Sequence, residues 1–120
     1  MEEKKTILED IRHTIGLGDE HTFFDSDLIM HINSTFDIIH QLGAGPINGF
    51  KITDGSETWD DYFGAYKTIE FIKTYMYIST KLVFDPPQNS FLVKALEDKQ
   101  KEYEWRINVA AESKYWKVCC

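Results

Sequence analysis

At 120 residues the chain has room for one hydrophobic core and little more. A formal net charge of −7 and a sequence pI near 5.0 exclude the basic footprint of a protein that grips nucleic acid through its phosphates. A hydrophobic content of 42% excludes wholesale disorder, and the lack of a signal peptide or an apolar run near the roughly 18 residues of a membrane span leads us to expect a soluble chain made in the cytoplasm.

The first helix is predicted from Thr6 to Ile15. Thr6 followed by Glu9 fits a capping box, and Ile7, Leu8, Ile11 and Ile15 recur at helical spacing before Gly16 and Gly18 stop it. A second helix opens at Asp25 or Ser26, either of which can cap, and runs to Leu42. Ile29, Ile32, Phe36 and Ile39 line one face beside Leu28, and Gly43, Gly45 and Pro46 end it.

Residues 44–64 change character. Phe50 and Ile52 alternate with polar neighbours as in a short strand, Asp54-Gly55 signals a turn, and Trp59, Tyr62 and Phe63 follow in a polar background. The pattern predicts a hairpin-like or extended excursion and then an irregular turn of helix. A loop this long in a compact domain usually has a job.

The third helix is predicted over Ala65–Phe84. Ile69, Ile72, Met76 and Val83 mark one stripe and Phe71, Tyr75, Ile78 and Leu82 another, so this helix is central or sandwiched between partners. Asp85-Pro86-Pro87 ends it. The fourth opens near Asn89 or Ser90 and reaches Ala111. Phe91, Leu92, Ala95 and Leu96 supply its apolar start, Tyr103, Ile107 and Ala110 continue one side, and Glu97–Lys101 and Glu102–Arg106 are well-ordered pairs on an exposed face. The tail Ser113-Lys-Tyr-Trp-Lys-Val-Cys-Cys120 carries two large rings. They either fold back onto the domain or anchor in a partner's groove. Its adjacent cysteines exclude a spaced disulfide framework and a C-x-x-C zinc site, and suit a reducing compartment.

The whole reads as a mainly α, four-helix bundle-like single domain over residues 1–112. A long inserted loop or short β-hairpin at 44–64 separates the second and third helices, and an extended C-terminal tail follows at 113–120.

No catalytic constellation emerges. His31 and His40 are nine residues apart, on opposite helix faces, and with His13 and His21 are better read as polar surface residues than as metal ligands. Asp60 and Asp61 point apart and have no basic partner nearby in sequence, so they read as solvated turn acids. Gly43, Gly45 and Gly49 follow a helix and lack the Gly-Lys-Ser/Thr of a phosphate loop; they read as a helix stop and a hinge. We expect no enzyme activity, no cofactor and no metal.

Several segments occur in a telling order. The first helix opens Ile7-Leu8-Glu9-Asp10, and the second ends Gln41-Leu42-Gly43-Ala44-Gly45-Pro46. Then come Gly49-Phe50-Lys51-Ile52, Thr58-Trp59-Asp60-Asp61-Tyr62, Phe84-Asp85-Pro86-Pro87 and Glu102-Tyr103-Glu104-Trp105-Arg106-Ile107-Asn108. In this order the chain resembles the head–tail connector, or adaptor, proteins of long-tailed bacteriophages of Gram-positive hosts, over Ile7 to Glu112.

The resemblance implies a structural virion protein of the neck, assembled as a homo-oligomeric ring of about twelve copies beneath the portal protein. One side of the ring docks on the portal and the other receives the stopper or tail-completion protein. Double-stranded DNA passes through the channel without specific binding, and no membrane is involved. Carried onto this sequence, portal docking falls on Tyr115, Trp116, Lys117 and Val118. Contacts with neighbouring subunits or the next ring fall on Phe50, Ile52, Trp59 and Tyr62. The acidity agrees: about twelve such subunits would line a channel with roughly 84 negative charges, past which DNA slides rather than sticks. The rival reading is a small acidic helical regulatory protein that binds a single host or phage partner.

Overall fold

In a computed structural model of the protein, residues 6–16, 23–46, 48–64 and 70–112 are described. The helices are α1 (Ile7–Thr14), α2 (Asp25–Gln41), α3 (Trp59–Phe63), α4 (Glu70–Phe84) and α5 (Ser90–Glu112). The fold is mainly α, and no strand forms among the described residues.

α1 begins as its sequence dictates. The Thr6 hydroxyl accepts from the Glu9 amide at 3.0 Å while the Thr6 amide donates to the Glu9 carboxylate at 3.2 Å, completing the capping box. Ile7, Leu8 and Ile11, with Ile15 just beyond the helix, are buried in the core. α2 starts differently from expectation. Neither Asp25 nor Ser26 caps it; Phe24 occupies the cap position with no side-chain hydrogen bond. The reason is that Asp25 is spent elsewhere: both of its carboxylate oxygens accept from the Arg12 guanidinium, at 3.0–3.3 Å, locking α1 to α2.

α4 is the centre of the molecule, packing against α5, α2 and α1. Its two apolar stripes point to this: Ile72 and Met76 on one and Tyr75 and Ile78 on the other are buried, while Phe71 and Leu82 are half-buried and Val83, at the end of the first stripe, is exposed. The predicted opening of this helix at residues 65–69 lies outside the described residues. α5 begins where Asn89 predicts, its side-chain oxygen accepting from the amides of Phe91 at 2.7 Å and Leu92 at 3.3 Å. At its far end the Asn108 side-chain nitrogen donates to the carbonyl of Leu42 at 2.8 Å, satisfying an orphan acceptor at the end of α2.

Residues 48–58 take the extended rather than the hairpin form. The chain does turn at Asp54-Gly55, where Asp54 accepts from the Ser56 amide and hydroxyl. It does not return to pair with Phe50–Ile52. Instead Glu57 accepts from the Ile7 amide at 2.9 Å, and an isolated bridge joins Thr58 to Thr6, so the return path runs along the start of α1. Gly55 makes this possible: a Cβ there would stand 2.8 Å from the Leu8 side chain. Gly45 takes φ +92°, and a Cβ there would press within 2.7 Å of the Tyr62 hydroxyl, so the close approach needs glycine.

Candidate docking surface

The rings nominated from sequence at the 44–64 segment lie inside their own chain. Ile52, Trp59 and Tyr62 are buried and Phe50 is half-buried. Phe36 of α2 is their hub, with ring centroids 5.2 Å from Phe50, 4.6 Å from Tyr62 and 6.0 Å from Trp59. The Trp59 indole donates to Asp10 at 3.0 Å, and the Lys73 ammonium lies 5.8 Å from the centre of its ring. Burial drives the Tyr62 hydroxyl pKa upward, so it stays protonated at any ordinary pH. These rings hold the loop down, and any role of the loop toward a neighbour runs through the shape they fix rather than through their own faces. Tyr115, Trp116, Lys117 and Val118 lie outside the described residues.

The aromatic surplus exists but sits elsewhere, at Phe23 and Phe24 ahead of α2 and at Phe91 and Trp105 on α5. Phe91, Ala95, Asp98, Glu102, Trp105 and Val109 follow one another at alternating spacings of four and three, which places them along one helix face. That face points away from the core, with Phe91 84% and Trp105 63% exposed. Its two ends are apolar. Its middle is charged, with Lys94–Asp98 at 2.9 Å, Arg106–Glu102 at 2.8 Å and Lys99–Glu102 at 3.4 Å. The Arg106 and Lys99 hydrogen bonds hold the Glu102 carboxyl below its ordinary pKa. Sequence reading registered Phe91 only as part of an apolar start, and Trp105 only as part of a family segment. The available signal was that both fall off the Tyr103–Ile107–Ala110 stripe that packs inward.

A second surface feature is a groove of about 400 Å³ between α2 and α5, floored by α4. Ile38, Leu82 and Val83 give it apolar wall, and Glu97 and Glu104 line its α5 side. The Tyr75 hydroxyl donates to Glu104 at 2.9 Å, and Gln100 donates to Ser79 at 3.1 Å, so the floor is a hydrogen-bonded layer. Burial, followed by the bond to Glu104, pushes the Tyr75 pKa up. His31 stands at the groove edge with its ring 5.6 Å from that of Phe84, and burial lowers its pKa, leaving it uncharged at neutral pH. The groove therefore carries negative charge.

The acids weighed as a catalytic pair have structural work. Asp61 completes a capping box with Thr58 at the start of α3, and Asp60 sits in the same first turn. His13 and His40 are exposed, and His21 lies outside the described residues. No group of three or more His, Cys, Asp or Glu able to hold a metal ion occurs among the described residues, and no described helix is long and apolar enough to cross a membrane.

No curated protein and no solved structure matches the chain. A family model described as phage connector protein matches residues 7–114, a span that takes in all five helices, the extended segment and both surface features. The chain belongs to this family of bacteriophage structural proteins, the phage connector proteins.

Proposed function

We propose that the protein is a neck adaptor: a subunit that assembles as a homo-oligomeric ring, joins the portal to the stopper or tail, and contributes to the wall of the DNA channel without catalysis. The observation that carries this reading is the family match across residues 7–114. The structure supplies what such a role needs. A ring subunit buries apolar surface on opposed flanks by heterologous contacts that close. The outer face of α5, with Phe91 and Trp105, and the exposed Met30 on α2 are large apolar groups that the chain leaves uncovered. Because the net charge is −7, such a ring repels rather than traps the DNA that passes it.

Portal docking is assigned to Tyr115, Trp116, Lys117 and Val118, which follow directly on α5. The core among the described residues runs from Ile7 to Ala111, and the chain shortened by Tyr115 to Cys120 is expected to keep that core and to lose portal binding. Pull-down with the portal tests this, with circular dichroism as the folding control. Retention of the shortened chain by portal at full strength removes the tail from the docking site.

A further inference from the structure

The groove between α2 and α5 and the outer stripe of α5 are complementary in charge and in order. Tyr75 meets Glu104 and Ser79 meets Gln100, so α4 and α5 run antiparallel, and Leu82 and Val83 fall at the Glu97 end of the groove. Leu42 meets Asn108, which sets Ile38 near the level of Glu104. Along its length the groove therefore reads apolar, acidic, acidic, apolar. Val83 and Ile38, at its two ends, are both exposed, and no lysine or arginine is found among its described lining residues.

The stripe has the opposite charge in the same order. Phe91, Lys94, Asp98, Lys101 and Trp105 are exposed and follow at spacings of three and four, so they share the outer face of α5. It reads apolar, basic, basic, apolar, and Asp98 between the lysines leaves it net positive. Lys94 and Lys101 stand two helical turns apart, about 10 Å along the axis, as do Glu97 and Glu104. Glu97 and Lys101 enter none of the described ion pairs of α5. On their own helix the lysines lie about 60° round the axis from the glutamates, facing away from the groove.

We propose that the groove receives the α5 stripe of a second copy, in the manner of a helix laid in a groove. Lys94 and Lys101 of one copy stand opposite the two glutamates of the next, and Phe91 and Trp105 cover the apolar ends. Stripe and groove are different surfaces, so the contact is heterologous and grows past the dimer. This names the subunit contact of the ring reading above, on which closure into a ring rests.

Sedimentation velocity on the full chain under reducing conditions tests the contact. At high protein concentration and low salt the chain forms species larger than a dimer, and these dissociate as salt rises. Lys94→Glu, Lys101→Glu chains and Glu97→Lys, Glu104→Lys chains each stay monomeric, because like charges then meet. Mixed in equal amounts the two variants associate again. The stripe left basic fits the groove left acidic, and the reversed stripe fits the reversed groove. Circular dichroism reports the fold, and Glu97→Lys alone, at an exposed position, replaces the groove variant if that variant loses helix.

Four results overturn the proposal: an unaltered chain that is monomeric at every concentration, association that stops at the dimer, undiminished association of either variant alone, or a mixture that stays monomeric. Portal pull-down on the same chains separates the two readings. A chain retained by the portal but monomeric by itself sinks the contact alone. Association restored by mixing, in chains the portal does not retain, sinks the connector reading alone.

Discussion

The side chain of Asn33 holds both backbone polar groups of Ile52: its oxygen accepts from the Ile52 amide at 2.8 Å and its nitrogen donates to the Ile52 carbonyl at 3.0 Å. One residue of α2 thus plays the part of a neighbouring strand for the extended segment, which would otherwise bury an unpaired amide and carbonyl beside the fully buried Ile52 side chain.

Asn33→Ala therefore leaves two partly buried backbone groups unsatisfied and lowers stability by about 2–4 kcal/mol. Asn33→Asp keeps the acceptor and loses the donor, and falls between the two. Urea denaturation gives the order, and amide exchange at residues 50–58 accelerates before the rest of the chain in both variants.

Trp59 and Trp105 respond in opposite ways. Trp59→Ala opens a cavity among Phe36, Tyr62 and Phe63, strips Asp10 of its indole donor, and costs about 3–5 kcal/mol. Trp105→Ala removes a ring that is 63% exposed and changes stability by about 0.5 kcal/mol or less, while weakening assembly. Thermal melting and native mass of the two variants decide the matter. Equal losses of melting temperature contradict the assignment of Trp105 to the surface.

Arg12→Met removes one partner of a largely buried bidentate pair, leaves Asp25 without its guanidinium, and destabilises by about 3 kcal/mol. Adding Asp25→Asn to that variant restores part of the loss. The coupling between the two sites, read from a double-mutant cycle, changes little with salt, because the Arg12 side chain is only 7% exposed.

His31 gives the fold a definite pH response. Burial depresses its pKa in the folded state below the ordinary 6.5, so between those two values the unfolded chain binds the extra proton. Stability then falls as pH drops through about 6.5 and levels off below the folded value. In His31→Gln that part of the acid loss disappears, and the carboxylate-driven loss at lower pH remains. Denaturation midpoints at pH 7.5, 6 and 5 distinguish the two; parallel curves contradict a half-buried, neutral His31.

Helix existence and order were legible because each helix carries local instructions: the Thr6–Glu9 box, the double stripe of α4, and Asn89 followed by an apolar run. What failed to be legible depended on contacts far apart in sequence. Asp25 reads as a cap until Arg12 is seen to claim it. Phe50-Lys51-Ile52 reads as half a hairpin because nothing local reveals that Asn33, nineteen residues earlier, supplies the pairing groups. Trp59 and Tyr62 looked like interface rings in a polar stretch, yet Phe36 and Asp10 bury them. The surface stripe of α5 was readable in principle, since Phe91 and Trp105 are fourteen residues apart on one face, but the ion pairs between them gave the face a solvated character. The groove could not be read at all, because it exists only where α2, α4 and α5 converge.

The central claim is that this chain assembles by covering the apolar groups it leaves exposed. Negative-stain imaging of the full chain mixed with its portal tests that most directly. The account predicts a continuous ring of additional density on one end of the portal, lost in Phe91→Ser, Trp105→Ser chains that remain folded. A discrete one-to-one complex, or an undiminished ring from the double variant, contradicts it.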